Sequence, residues 1–177
     1  MTQDGRVQSV AQVGDMTTPG DVALERVSTP EQLAELLALR MDVFVREQLV
    51  PEAEEIDDLD FSPSTVHVLA RDLRDGQVVA TARLLTDSED PGVVHIGRVA
   101  VAAHCRGSGL GRAVMDLAEA IALEEFSVMG HVIVELSAQV QALGFYANCG
   151  YVARGRVYMD AGIEHRDAIK TLAAAGR

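Results

Sequence analysis

Positive charge is scarce in this chain of 177 residues: 15 lysines and arginines face 27 aspartates and glutamates, a formal net charge of −12 with a pI near 4.7. A protein that binds a phosphate backbone normally carries a basic face, so no nucleic-acid partner is expected. The acidic surplus fits a cationic substrate weakly, and it equally serves to keep a surface solvated. Cysteine is almost absent. Cys105 and Cys149 stand far apart, which gives neither a disulfide framework nor a metal-ligand spacing. Two reduced thiols and no metal are expected. Long apolar runs are missing too, since nothing approaches the roughly 18 residues that span a bilayer. Residues Met1 to Gly20 lack the basic start and apolar block of a secretory signal. The reading is a cytoplasmic protein without a membrane partner.

What is present is a chain with 48% hydrophobic and 24% charged residues, the balance of a globular domain, at a length that suits one core. Residues 1–20 hold Gly, Gln, Asp, Thr and Pro without a period and read as a disordered or adaptable arm, which leaves 21–177 as a single domain. A short strand is expected over Asp21 to Val27. Thr29-Pro30-Glu31-Gln32 then starts a helix, with Thr29 and Gln32 as a capping box and Pro30 in the first helical position. Leu33, Leu36, Leu37, Arg40, Met41 and Phe44 carry it to about Arg46. An acidic loop fills 47–63. Strands follow at Val66 to Arg71 and Val78 to Leu85, joined at the hairpin signal Asp75-Gly76, and then at Val93 to Val101. The glycine-rich turn Arg106 to Gly111 leads into a helix with Val114, Leu117, Ala118, Ile121 and Ala122 on one side. A strand at Val132 to Leu136, a helix over Ala138 to Asn148 stopped by Gly150, and strands at Tyr151 to Met159 and Ile163 to Leu172 complete the order. This pattern is an α/β domain around a mixed, mostly antiparallel sheet of about seven strands flanked by helices, with one parallel crossover.

The segment richest in chemistry is Gly97-Arg98-Val99-Ala100-Val101 followed by Arg106-Gly107-Ser108-Gly109-Leu110-Gly111-Arg112. A strand, a turn of small residues and a helix start succeed one another. First-turn amides of a helix lack internal partners and sit at the positive end of the macrodipole, and glycines let a backbone close around a pyrophosphate. The turn is neither a Gly-Lys-Ser/Thr phosphate loop nor a Gly-x-Gly-x-x-Gly turn, and an ordinary strand-to-helix connection would look similar.

Arg106-x-x-Gly109-x-Gly111 resembles the acyl-CoA signature of the GNAT superfamily, and Phe145-Tyr146-Ala147-Asn148-Cys149-Gly150-Tyr151 is similar to that family's helix-to-strand segment. A narrower resemblance, over roughly 38–169, is to the ElaA/YjcF-like branch. It rests on Val43 to Gln48, Pro51, Glu54 to Asp57, Asp60, His67, Gly97 to Val101, Ala138-Gln139, Gly162-Ile163 and His165. The resemblance implies the GNAT fold and an N-acetyltransferase that uses acetyl-CoA as co-substrate. Arg106, Gly107, Ser108, Gly109, Leu110, Gly111 and Arg112 would hold the pyrophosphate. Val99, Ala100 and Val101 would run beside the pantetheine arm as if it were an added strand. Gln139 stands where asparagine is frequent, as a further pantetheine contact. Tyr146 would donate a hydrogen bond to the departing thiolate.

The resemblance implies an acceptor that is an amine of a small molecule, peptide or protein. An amine with a pKa about 10.4 must lose a proton first, at roughly 4–5 kcal/mol at pH 7. Glu47, Glu54, Glu55, Asp57, His95 or a water are the candidate bases. The acidic loop can instead form an ion-pair network with Arg40, Arg83 and Arg98, the preferred reading for Asp57 and Asp60. His165 can order the acceptor cleft or cap a strand pair. Two other readings remain open. Arg40, Phe44, Asp57, Asp60 and Ala82 to Thr86 also resemble acyl-homoserine-lactone synthases, and a non-catalytic acyl-CoA-binding domain would keep the turn without needing Tyr146. A homodimer is left open.

Overall fold

In the computed structural model, which describes residues 21–86 and 89–174, the chain begins with strand β1 (Val22–Arg26). The arm expected over 1–20 lies outside the described residues. Thr29 caps helix α1 (Pro30–Arg40) as its composition requires: its hydroxyl accepts the Gln32 amide at 3.2 Å, and the Gln32 side chain accepts the Thr29 amide at 3.2 Å. The helix then widens into a π-helical stretch (Met41–Glu47), in which the Gln48 amide reaches back to the Val43 carbonyl. Such widening is invisible to a 3.6-residue period and is frequent beside functional sites. The acidic loop contains a short helix α2 (Glu52–Glu55) and a 3-10 turn (Asp58–Phe61).

Strands β2 (Val66–Asp72), β3 (Val78–Thr86) and β4 (Val93–Val101) form an antiparallel run with β1. Helix α3 (Leu110–Phe126) crosses over to β5 (His131–Gln139), which pairs parallel with β4. Helix α4 (Leu143–Asn148) precedes β6 (Val152–Asp160) and β7 (Ile163–Ala173). The order in the seven-stranded sheet is β1-β2-β3-β4-β5-β7-β6. Ala138 and Gln139 do not open a helix; they finish β5, paired with Arg166 and His165 of β7. Only a 3-10 turn (Val140–Ala142) and the short α4 follow. The antiparallel partner β7 satisfies the backbone of those two residues, which outweighs their helical propensity.

Every residue from Val79 to Leu84 of β3 is buried, as in a strand covered on both faces, and α1 and α3 both pack on it. Val114, Met115, Ala118 and Ala122 of α3 are fully enclosed. Their spacing makes one helical stripe, and a side chain such as Met115 contributes roughly 1.5–3 kcal/mol by its burial.

The feature that makes a site is a fault in this sheet. Between β3 and β4, Thr81 pairs with Ala100 but Arg83 pairs with Gly97, so Ala82 alone opposes Arg98 and Val99. Arg98 takes up the extra residue at φ 53°, a left-handed conformation uncommon outside glycine. A bulge bends its strand. Pairing of β4 with β5 covers only Val93, Val94 and His95, and beyond His95 the two strands part. The gap between them is the cleft.

Candidate active site

One half of the cleft is built from backbone. The Ala102 amide bonds to the Val79 carbonyl of β3, so by strand alternation the backbone groups of Val99 and Val101 face away from β3, toward the gap. The chain turns through Gly107 (φ 79°) and Gly109 (φ 87°), where a Cβ would meet nothing within 4 Å. Gly109 is the N-cap of α3. The first helical bond there runs from the Ala113 amide to the Gly109 carbonyl at 3.0 Å. The amides of Leu110, Gly111 and Arg112 therefore take no backbone partner among the described residues and point out of the helix start. Gly111 differs from its two neighbours. A Cβ there would lie 3.3 Å from the Phe145 ring and 3.4 Å from Val101, so this glycine lets α4 approach α3. The groove encloses about 490 Å³ and runs from the turn past Val99 and Val101 to Tyr146.

The second half is a cavity of about 620 Å³ that meets the first at Gln48, Val99, Arg106, Ala142 and Tyr146. Tyr146 is thus on the wall of both halves. Its hydroxyl has no hydrogen-bond partner among the described residues. Burial, and then the neighbouring Cys149, push its pKa up to about 12.

Buried charge forms the floor of the second half. Arg40, fully enclosed on the apolar side of α1, holds Glu55 through Nε at 2.6 Å, Asp60 through Nη1 at 2.6 Å and the Glu55 carbonyl through Nη2 at 2.5 Å. Arg83 binds Asp57 and Asp60, each at 2.8 Å. Arg98, thrown out by the bulge, reaches the Glu55 carboxylate at 3.2 Å and the Glu54 carbonyl at 3.0 Å. Burial alone would raise the Asp60 carboxyl, but hydrogen bonds and charge from Arg40, with help from the Asp57 amide and Arg83, hold it at about 2. For Glu55 burial prevails over Arg40 and Arg98, and its pKa is raised. His67 is driven toward its neutral form by burial; its Nε2 donates to the Asp60 carbonyl at 3.0 Å.

The residues singled out in the sequence fall into different settings. Arg106 and Arg112 line the first groove, but their guanidiniums are already engaged. Arg106 binds Glu47 at 2.6 Å and the Val101 carbonyl at 3.2 Å, whereas Arg112 binds Asp116 at 3.1 Å and the Asn148 carbonyl at 2.8 Å. Ser108 turns inward, its hydroxyl and amide both on the Cys105 carbonyl. Ala100 and Leu110 are buried. Gln139 sits on the second cavity rather than the first, and its side-chain amide donates to Gln48 at 2.7 Å. Of the candidate bases, Glu47, Glu55 and Asp57 are bound to arginine. Glu54 has no side-chain partner among the described residues, and His95 lies 3.8 Å from Glu135. Both line the second cavity. His165 lines it too, with its Nδ1 on the Ile163 carbonyl at 2.9 Å and its ring stacked on Tyr158. The sequence assigns no role to Gln48, which accepts from Gln139 on the wall of both halves, and does not single out Glu119, a buried carboxylate on α3.

With this geometry in view, the likenesses to known proteins are informative. Residues 33–151 match the Acetyltransferase (GNAT) family. A protein of Bacillus subtilis (strain 168) described as the uncharacterized N-acetyltransferase YjcF is 33% identical over 141 residues, 79% of this chain and 93% of that one. The crystal structure of Escherichia coli ElaA superimposes with a TM-score of 0.74 at 29% identity, covering 84% of this chain and 99% of ElaA. An acyl-CoA N-acyltransferase from Pseudomonas aeruginosa gives a TM-score of 0.71 at 36% identity, over 85% of this chain and 98% of the other.

Proposed function

The chain belongs to the acetyltransferase (GNAT) family, and we propose that it transfers an acetyl group from acetyl-CoA directly to the amine of a small-molecule or peptide acceptor. The observation that carries this reading is the parting of β4 and β5, which sets the glycine turn, the edge of β4 at Val99 and Val101, and Tyr146 along one continuous groove. The open space at Gly107 and Gly109 and the unpartnered amides at the start of α3 fit a pyrophosphate. Arg106 and Arg112 flank that place, and the edge of β4 would accompany the pantetheine arm. Gln139, with Gln48, would close the far end of the arm.

Acetyl-CoA supplies an activated thioester, so no covalent intermediate on the protein is needed and Cys149 stays a buried thiol. Tyr146 lies where the two halves meet. A free alkyl thiol has a pKa about 8.5, so full proton transfer from a phenol held at about 12 is uphill by roughly 5 kcal/mol. Tyr146 therefore donates a hydrogen bond as charge grows on sulfur, and solvent delivers the proton. Glu54, a carboxylate on the cavity wall without a side-chain partner among the described residues, would draw a cationic acceptor into the cavity. His95, at the apex of the split, would receive the proton of the incoming ammonium through water. The lactone-synthase-like residues Arg40, Asp57 and Asp60 are engaged in the ion network beneath the cavity, which leaves the ordinary amine reading in front. We assign the reaction to the cytoplasm on composition, and a homodimer remains compatible with it.

The test is a screen of amines and of peptides with free N-termini or lysines against acetyl-CoA, reading free thiol. Release of CoA and an acetylated product with at least one acceptor is expected. CoA binding without acetylation of any amine would favour a non-catalytic acyl-CoA-binding domain.

A further inference from the structure

Among the described residues Tyr146 has no hydrogen bond to aim its hydroxyl, so its direction is set by ring packing. Its ring stands edge-on to Phe145, with centroids 5.0 Å apart at 70°, and edge-on to Tyr151, at 6.0 Å and 79°. Tyr151 is 4% exposed and is itself fixed from behind. Its hydroxyl donates to Oε1 of Glu119 at 2.8 Å, and Nζ of Lys170 donates to Oε2 of the same carboxylate at 2.5 Å. The ammonium also lies 5.5 Å from the Tyr151 ring centroid. A carboxylate buried without partners would be strongly destabilising; here both oxygens of Glu119 are occupied. Gly150 turns the chain just before Tyr151 at φ 90°, a left-handed conformation that suits glycine, beside the Lys170 stem. Glu119 comes from α3, Tyr151 from the connection between α4 and β6, and Lys170 from β7. None of the three lines the cleft.

We propose that Glu119, Tyr151 and Lys170 are positioning residues that hold the Tyr146 ring at the thioester end of the groove. The proposal rests on the role assigned to Tyr146 above. A polar lock behind the Tyr151 ring keeps that ring against Tyr146, and the lock is tied to α3, the helix whose first turn faces the groove. A displacement of about 1 Å at a reacting group can lower a rate by about 10²-fold. A lock that served stability alone would leave the Tyr146 ring indifferent to its loss.

The full chain has three tyrosines, Tyr146, Tyr151 and Tyr158, so ring-13C tyrosine labelling gives a simple NMR spectrum that single Tyr→Phe variants assign. Tyr151→Phe keeps the ring and removes the bond to Glu119. It is expected to shift and narrow the Tyr146 ring signals, to lower kcat about 10-fold with whichever amine the screen identifies, and to leave CoA affinity within about twofold. In a Tyr146→Phe background the same change is expected to have no further effect on kcat. Glu119→Gln with Lys170→Met, which keeps an oxygen to accept from Tyr151 and strands no charge, should retain Tyr146 signals nearer to wild type than Glu119→Leu with Lys170→Met, which removes the acceptor. Unmoved Tyr146 signals in Tyr151→Phe would overturn the positioning role while leaving the chemistry of Tyr146 intact. Wild-type turnover in Tyr146→Phe would remove that chemistry, and the purpose of the lock with it.

Discussion

The two halves of the cleft are built by opposite means. The glycine-turn half is local: a strand, a turn and a helix start, contiguous from Val99 to Arg112, present backbone groups to open space. The acidic-loop half is non-local. Arg40 of α1, Arg83 of β3 and Arg98 of the β4 bulge bind loop residues Glu55, Asp57 and Asp60 at separations of 15 to 43 positions. A backbone cradle depends on φ angles and on small residues, so a change there should be felt by the ligand and little by the fold. A buried ion network is the reverse. It offers charge pairs at full desolvation, and removing one member strands the others.

The largest effect should come from cutting the network. Asp60→Asn leaves Arg40 and Arg83 short of a buried counter-charge and should destabilise the protein by about 3–5 kcal/mol in urea unfolding. The same carboxylate carries a pH signature. Its folded pKa, about 2, lies below the unfolded value, so its contribution is present above about pH 4 and is lost as pH falls toward 2, roughly 2 kcal/mol in all. Glu55, raised by burial, works in the opposite direction. Wild type should therefore lose more stability than Asp60→Asn between pH 5 and pH 2.5, and equal losses would show that Asp60 is not the paired carboxylate. Next in size, Tyr146→Phe should lower turnover toward about 10²-fold with CoA affinity retained, by steady-state kinetics beside calorimetry. Gly109→Val, at a left-handed position, should weaken CoA binding by about 10-fold or more through strain and lost space. Gly111→Val must also displace the Phe145 ring, so its melting temperature should fall further than that of Gly109→Val; the reverse order would contradict the packing assigned to Gly111. The smallest effect is expected for Glu54→Gln, a rise in acceptor KM of about 3–10-fold with little change in kcat, since the lost interaction acts on bound and reacting amine alike.

The same contrast explains how much could be read from the chain. Strand alternation, the Thr29 and Gln32 capping box, the Asp75-Gly76 hairpin and the glycine turn are all local signals, and the seven strands appear in the expected order. Arg40 showed itself by falling on the apolar stripe with Leu36 and Leu37. Its partners were nameable as a set, but which carboxylate met which arginine depended on the bulge at Arg98 and the π-helical turn, neither of which has a sequence period. Ala138 and Gln139 were expected in a helix because the strand before them has no glycine or proline to mark its end. The lock of Glu119, Tyr151 and Lys170 joins residues up to 51 positions apart, so only the fold brings them together.

The amides of the glycine turn are where CoA should be felt first. A 15N-labelled sample titrated with CoA should show its largest shifts at Gly107, Gly109, Leu110, Gly111 and Arg112, with smaller ones along Val99 to Val101 and at Tyr146. Saturable binding whose shifts fall elsewhere, or no binding at millimolar CoA, would contradict it.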